Sequence, residues 1–325
     1  MTRYVIKRLL VMIPLLIAVG VIMYTLMEFV PGDPVDIVLS TGFHTEEEKD
    51  LMREAMGLNR PFVVRLGDYI GGVFLRFDFG TSLLDGTSIK TALLTRFPNT
   101  LYIAIFSILL TVVVGLPLGI YTAVHANSLG DKVSLFVTLL FDCMPSFWTA
   151  LLLVLLFSVK LGWLPSSAPP SGSKSLVYFI LPTLANSLGG LAGFTRQVRA
   201  SMLEVIRSDY VTTARSKGLP EHDVVYGHAL PNALIPILTV VGMRFGSMLG
   251  GATIVEVIFS IPGIGQYLVN AINGLDYTAA TGSIIFIAFT FSVIMLLTDL
   301  LYAYADPRIK AQYTASSRKK VPANG

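Results

Sequence analysis

Six long apolar runs divide this 325-residue chain, and each is long enough to cross a lipid bilayer as a helix. About 20 mostly apolar residues are needed to span the hydrocarbon core. The fifth run nevertheless contains Arg244 and Glu256, although charges inside a membrane are costly. The pattern predicts an all-α membrane protein with six transmembrane helices. The runs cover residues 9–30, 97–124, 133–159, 176–195, 235–259 and 281–304.

The composition agrees with a membrane protein and argues against several soluble classes. Hydrophobic residues make up 53% of the chain and charged residues only 14%, whereas soluble domains carry roughly a quarter charged residues. The single cysteine, Cys143, excludes a disulfide framework. The first run resembles a signal peptide, but it is too long for one and is followed by no small-residue cleavage site, so it is predicted to remain as a span.

Lys and Arg collect in the termini and in one connecting segment, whereas residues 260–280 contain neither. Such loops stay on the cytoplasmic side of a membrane. We therefore expect both termini and residues 196–234 to be cytoplasmic. The sorted charge indicates membrane orientation and no nucleic-acid partner. The basic residues of the two termini and of this segment are Arg3, Lys7, Arg8, Arg196, Arg199, Arg207, Arg215, Lys217, Arg308, Lys310, Arg318, Lys319 and Lys320.

Two connecting segments carry helix signals of their own. In the external insert, Thr45 and Glu48 form a capping box and Gly57 ends the helix that it starts; a second amphipathic piece covers 62–77. Whether this insert is a stabilising cap or a docking surface stays open. The division predicted is 1–30, 31–96 (the insert), 97–310 (the helical core, with a cytoplasmic loop at about 200–234) and 311–325 (the tail).

The cytoplasmic loop predicts a short helix, a bend and a second helix. Ser208 and Asp209 are suited to start the first helix, Gly218 to end it, and Pro220 to open the next. Pro231 and Pro236 are expected to break the entry into the fifth span. Because a helix of two turns is unstable alone in water, a protein partner is expected to pack against it.

This loop resembles the "EAA" loop of bacterial ABC importer permeases, whose pattern is E-A-A-x3-G-x9-I-x-L-P. Here Thr212-Thr213-Ala214 precedes Gly218 by three residues, and His228-Ala229-Leu230-Pro231 follows nine residues later. The replacements look like the dipeptide/oligopeptide-type subfamily. The resemblance extends over nearly the whole chain through Pro31-Gly32-Asp33-Pro34, Gly57-Leu58-Asn59-Arg60-Pro61, Asp78-Phe79-Gly80, Arg96-x-Pro98-x-Thr100-Leu101, Pro145-Ser146-Phe147-Trp148, Gly162-Trp163-Leu164-Pro165, Pro262-Gly263-Ile264-Gly265 and Asp306-Pro307-Arg308.

The resemblance implies the type I permease fold and a set of partners. Two similar but non-identical permeases form the pore, two cytoplasmic ATPases drive it, and an external binding protein delivers the substrate, within membrane lipid. ATP and Mg²⁺ are expected on the ATPases, because the sequence has no P-loop, and this chain is expected to hold no catalytic residue, metal or cofactor. The implied coupling helix that contacts the ATPase comprises Asp209, Tyr210, Thr213, Ala214, Arg215, Lys217, Gly218, Leu219 and Pro220.

Three charged residues inside the apolar runs are candidates for the translocation pathway. Arg244 and Glu256 lie twelve residues apart in the fifth run, roughly 18 Å along a helix, and Asp142 lies in the third. A zwitterionic solute could find a partner at each depth. The alternative is a structural ion pair, for instance between Arg244 and either Asp142 or Asp299.

The function implied is import of dipeptides or oligopeptides, and the alternatives are an oligosaccharide, metal chelate or glutathione moved by the same architecture. An ATP-independent secondary transporter is less favoured, since the sequence has no convincing internal repeat. An intramembrane enzyme is disfavoured because H-E-x-x-H and G-x-S-x-G are both absent.

Overall fold

The computed structural model describes residues 2–30, 33–39, 45–168 and 175–305, and these ranges are helical with no β-strand. Three sequence features named above lie outside the described residues: Pro31-Gly32, Asp306-Pro307-Arg308 and the tail 311–325. The helices are α1 (Thr2–Glu28), α2 (Pro34–Val38), α3 (Glu46–Ala55), α4 (Phe62–Arg76), α5 (Ile89–Val124), α6 (Leu129–Asp142), α7 (Ser146–Leu153), α8 (Val177–Ile206), α9 (Asp209–Ser216), α10 (Glu221–Asp223), α11 (Leu230–Ile258), α12 (Ile264–Asn273) and α13 (Tyr277–Ala305).

Five of the described helices are long and apolar enough to cross a membrane: α1, α5, α8, α11 with its lead-in, and α13. The bent pair of α6 and α7 makes a sixth if it counts as one span. At the centre of the bundle α5 and α8 pack closely, because a β-carbon at Gly119 would lie 2.5 Å from Val198. Glycines also bring α11 against α13, where Gly246 faces Phe291. Small residues allow such close approach between membrane helices.

The third apolar run is not the continuous helix that the sequence predicts. α6 ends at Asp142, α7 starts at Ser146, and the two are bent by 99°; α7 then continues as a π-helical segment, Val154–Lys160. Pro145 precedes α7 directly. Proline disfavours the helical conformation of the residue before it, so the helix is interrupted at this point.

The lead-in to the fifth span is continuous, and the predicted break at Pro231 and Pro236 is wrong. Helix α10, a π-helical segment Val224–Ala229 and α11 follow one another without interruption. Pro231 lies in the first turn of α11, directly after the π-helical segment. The turns directly before Pro231 are π-helical and wider than α-helical turns. In a regular α-helix the proline ring would clash with the carbonyl four residues back.

Helix α3 of the insert is built as the sequence predicts, and the short helix α2 before it was not predicted. The capping box of Thr45 and Glu48 is present, with hydrogen bonds of 3.3 and 3.0 Å, and Gly57 follows α3 with a φ of +69°. α4 covers Phe62–Arg76. The segment after α4 is tied to α13 by Asp276, which is buried and accepts from the Ser82 hydroxyl at 2.5 Å.

A cavity of about 830 Å³ lies between α1, the insert helices and the start of α13. Its charged side chains are paired with each other: Glu28 with Arg65, Asp33 with Arg53, and Arg60 with Asp68. Burial alone would raise the pKa of Asp33, but hydrogen bonds from Arg53 and from a backbone N–H hold this pKa below its usual value. The Glu28–Arg65 pair joins the insert to α1, and the other two pairs lie within the insert.

Candidate functional site

α9 is a two-turn helix at one end of the bundle. It covers Asp209–Ser216, and Gly218 follows it with a φ of +77°, a left-handed conformation that glycine adopts cheaply. The Gly218 N–H donates to the Arg215 carbonyl at 2.9 Å. The predicted helix and its glycine stop are therefore confirmed. Ser208 is the N-cap residue of α9, as the sequence predicts, but its hydroxyl donates to the Val205 carbonyl at 2.6 Å and accepts no hydrogen bond from α9.

The underside of α9 is buried in an apolar cluster, where it packs against α8 and the π-helical segment that leads into α11. Val211 is fully buried and Ala214 nearly so, and their three-residue spacing places them on one helical face. This packing supplies the stability that an isolated two-turn helix lacks. On this face of α9 the packing comes from the chain itself and needs no partner protein. The surrounding apolar cluster comprises Ile120, Ala123, Phe194, Val198, Met202, Val224, Val225, Ala229, Ala233 and Ile237.

An ion pair joins α9 to the helix that follows it. The Arg215 guanidinium donates to both carboxyl oxygens of Glu221, at 3.1 and 2.6 Å. The hydrogen bond to Glu221 raises the pKa of Arg215. Because both side chains are exposed, the pair contributes only about 0–1 kcal/mol to stability. The pair spans the bend at Gly218. It also occupies Arg215, which the resemblance places among the residues that contact the ATPase.

The outer face of α9 is exposed. Tyr210 is 46% exposed and Leu219 is 38% exposed, and Lys217, which directly follows α9, is exposed as well. Of the nine residues predicted for the coupling helix, only Ala214 is buried, where it belongs to the anchor described above. The eight exposed residues are Asp209, Tyr210, Thr213, Arg215, Lys217, Gly218, Leu219 and Pro220. The arrangement is a small helix held firmly on one side and open on the other.

At the N-terminus of α12, two side chains from neighbouring helices act as the cap. Glu256 of α11 accepts from the Thr100 hydroxyl at 2.6 Å and from the Gln266 N–H at 3.0 Å. The Thr100 hydroxyl in turn accepts from the Ile264 N–H at 2.9 Å. The first N–H groups of a helix have no partner within the helix itself. Glu256 and Thr100 satisfy them, and so join α5, α11 and α12.

Two of the three predicted pathway residues are engaged within the protein. Glu256 has no exposed surface. In this conformation its side chain caps α12 and does not face a pathway. Asp142 pairs with Arg196 of α8 at 2.8 Å. The alternative of a pair between Arg244 and Asp142 or Asp299 is not what the structure contains, because Asp299 pairs with Arg8 at 3.0 Å.

Arg244 is the middle residue of the 29-residue helix α11. Its guanidinium lies against α8 at Gly190 and Gly193, where a β-carbon would meet it. Arg244 is partly exposed, and in the part of the chain that the structure describes no carboxylate lies within ion-pair distance of it. The three predicted pathway residues therefore do not form one cluster.

Sequence reasoning did not assign roles to Thr100, Val211, Gly190 or Gly193. Thr100 belongs to a motif that carries the resemblance, but its partners are distant in the sequence. Val211 could have been found from its spacing to Ala214 on a predicted helix. Gly190 and Gly193 gave no signal beyond the small-residue composition of the fourth run.

Two family profiles match the chain. The profile described as "Binding-protein-dependent transport system inner membrane component" matches residues 115–311. The profile for the N-terminal part of such membrane components matches residues 1–104.

Curated relatives match along nearly their entire length. The dipeptide transport system permease protein DppB of Alkalihalophilus pseudofirmus is 37% identical, over 95% of this chain and 100% of the relative. The glutathione transport system permease protein GsiC of Salmonella choleraesuis is 36% identical, over 95% of this chain and 99% of the relative. The oligopeptide transport system permease protein AppB of Bacillus subtilis is 33% identical, over 95% of this chain and 100% of the relative.

The fold resembles that of a solved transporter. An inward-facing structure of the MetNI methionine ABC transporter matches with a TM-score of 0.57 at 17% identity, covering 66% of this chain and 96% of that chain. At this identity the likeness concerns the fold alone. The profiles and the relatives together identify the protein: this chain belongs to the family of binding-protein-dependent transport system inner membrane components, the membrane-embedded permease subunits of ABC importers.

Proposed function

We propose that this chain is one of two permease subunits of an ATP-driven importer for dipeptides or oligopeptides. The names of its relatives support a peptide substrate, since they are permeases for dipeptides, oligopeptides and glutathione. Glutathione, itself a small peptide, is the second candidate because a glutathione permease is 36% identical. None of the three relatives described above is named for an oligosaccharide or a metal chelate.

One observation supports coupling to a separate ATPase subunit. The underside of α9 is buried against the bundle, and its outer face is exposed. Val211 and Ala214 are buried where α9 packs against α8 and the π-helical lead-in to α11. A push on the outer face would therefore be passed to the long helices as a rigid-body movement. In the proposal, alternating access follows from this movement, which switches the pore from outward-open to inward-open.

The proposed assembly contains a second, similar permease, two ABC ATPases and an external binding protein, in a lipid membrane. ATP and Mg²⁺ bind the ATPases, because this sequence has no P-loop. In the proposed orientation α6 and α7 count as one bent span, so that six spans leave both termini and α9 in the cytoplasm. The Lys and Arg distribution supports this orientation.

The proposed division of labour keeps the boundaries derived from the sequence. The insert at 31–96 caps the outer mouth, residues 97–310 form the permease core, and the loop at 200–234 couples it to the ATPase. The ion pair between Arg65 of the insert and Glu28 of α1 supports the capping role.

The bend at Gly218 tests this function. Gly218→Val should reduce ATP-dependent uptake strongly while ATP hydrolysis continues, because a β-branched residue at a φ of +77° is strained by about 1–3 kcal/mol and would shift the end of α9. Gly218→Asn is the matched control, since asparagine tolerates the left-handed region. Uptake and hydrolysis are measured on the reconstituted assembly. Full coupling in the valine variant would contradict the role of this loop.

A further inference from the structure

Arg244 differs in its partners from Arg196 and Arg199, the two arginines of the neighbouring helix α8. Arg199 forms a bidentate pair with Asp131 at 3.0 and 2.8 Å, and Arg196 pairs with Asp142. Arg244 has no such carboxylate among the described residues. A charged side chain deep in a membrane protein is costly and almost always has a partner or lines a wet cavity. Arg244 has no carboxylate partner among the described residues and is partly exposed, which is the setting of a charge that lines a water-filled pathway.

The structure provides a seat for this guanidinium. At Gly190 a β-carbon would lie 3.3 Å from one guanidinium nitrogen of Arg244, and at Gly193 it would overlap the other. Two glycines one turn apart on α8 thus leave the room that the guanidinium occupies. The seat fixes the position of the group without neutralising its charge, because a glycine offers no side chain.

The side of Arg244 away from this seat borders an exposed surface. Met243 and Ser247 flank Arg244 on α11 and are exposed, as is Gly189 beside the seat on α8. Arg244 itself is partly exposed. A solute moving along this surface at the depth of the α11 midpoint would pass within reach of an unpaired cation.

We propose that Arg244 binds the carboxylate of the substrate during its passage through the membrane, an inference that rests on the peptide-import function. Guanidinium and carboxylate groups form bidentate, charge-assisted hydrogen bonds. Every dipeptide, oligopeptide and glutathione molecule carries a C-terminal carboxylate. Arg244 is therefore the residue of this chain that favours carboxylate-bearing substrates over neutral ones.

The test is equilibrium binding of tri-alanine and of tri-alanine amide to the purified complex of both permeases and the ATPases, without the binding protein. The wild-type complex should bind tri-alanine about tenfold more tightly than the Arg244→Gln complex, as expected for loss of a hydrogen bond to a charged group. Binding of the amide should be equally weak to both. Arg244→Lys, which keeps the charge but not the fork, should give an intermediate affinity.

The seat provides a matched pair of control variants. Gly193→Ala places a β-carbon where the guanidinium lies and should weaken tri-alanine binding. Gly189→Ala adds the same carbon where no atom lies within 4 Å in the described residues and should leave binding unchanged.

Several results would overturn the proposal. It fails if the wild-type complex shows no preference for the free acid, if Arg244→Gln weakens acid and amide equally, or if this variant does not assemble, which would indicate a structural pairing with the second permease. ATP-dependent uptake of tri-alanine by the complete wild-type assembly reports separately on the proposed function. Uptake without carboxylate-selective binding would refute the role of Arg244 alone, and absence of uptake would refute the peptide assignment.

Discussion

Glu256→Ala is expected to destabilise the folded protein and to abolish ATP-dependent uptake. The substitution removes the two carboxyl oxygens that accept from the Thr100 hydroxyl and the Gln266 N–H. Each buried donor left without a partner costs about 1–3 kcal/mol. The vacated space adds a cavity cost. Helix α12 would lose the cap that fixes its position against α5 and α11.

Thermal unfolding of the purified protein in detergent, together with uptake by the reconstituted assembly, measures this effect. Glu256→Gln keeps one carbonyl acceptor at nearly the same volume, so we expect it to be clearly more stable than the alanine variant. Thr100→Val removes one hydroxyl of the same network. Combined with Glu256→Ala it should cost less than the sum of the two single changes, because the sites share a hydrogen bond. An alanine variant as stable as the wild type would show that the cap is dispensable.

Val211→Asp should detach α9 from the bundle and stop transport. Val211 is fully buried in the apolar cluster beneath α9, and an unpaired carboxylate there costs several kcal/mol. A two-turn helix cannot absorb such a cost, because it has little stability of its own. We therefore expect the 207–221 segment to become sensitive to proteolysis.

The neighbouring residue is the control for this prediction. Thr212 is exposed on the same helix, so that Thr212→Asp introduces the same charge without disturbing the anchor. Limited proteolysis of both variants in detergent, with the cleavage sites identified by mass spectrometry, compares them directly. Equal protection of the two variants would show that the anchor does not hold α9.

Much of this fold could be predicted from the sequence because membrane spans leave few alternatives. An apolar run of more than 20 residues in a chain with so few charges has to be buried in lipid or protein, and helices satisfy its backbone. The runs centred in α5, α8, α11 and α13 are found as helices. The capping box at Thr45 was also predictable, since its two hydrogen bonds join residues three positions apart.

The break between α6 and α7 could not be predicted from proline alone. Pro145 stands at the break, but Pro98, Pro117, Pro182 and Pro236 lie inside continuous helices. Membrane helices tolerate proline where neighbouring groups satisfy the freed carbonyl. Whether a given proline breaks a helix therefore depends on tertiary contacts that sequence periodicity does not contain.

The roles of the intramembrane charges depended on distant partners in the same way. Glu256 meets Thr100 across 156 residues and Asp142 meets Arg196 across 54. The sequence shows that these charges need an explanation, but it does not say which partner each one has. Likewise, the sequence does not show that Arg244 lacks a carboxylate partner among the described residues, because this depends on where the carboxylates of other helices lie.

The coupling role of α9 is tested most directly by cysteine cross-linking in the assembled transporter. The single native cysteine, Cys143, is exposed and is first replaced by serine. A cysteine at the exposed position Thr213 on α9 is then compared with one at the exposed Asn273, which ends α12. We predict that Thr213→Cys forms a cross-link to the ATPase subunit and that Asn273→Cys does not. A cross-link from Asn273→Cys with none from Thr213→Cys would contradict the account.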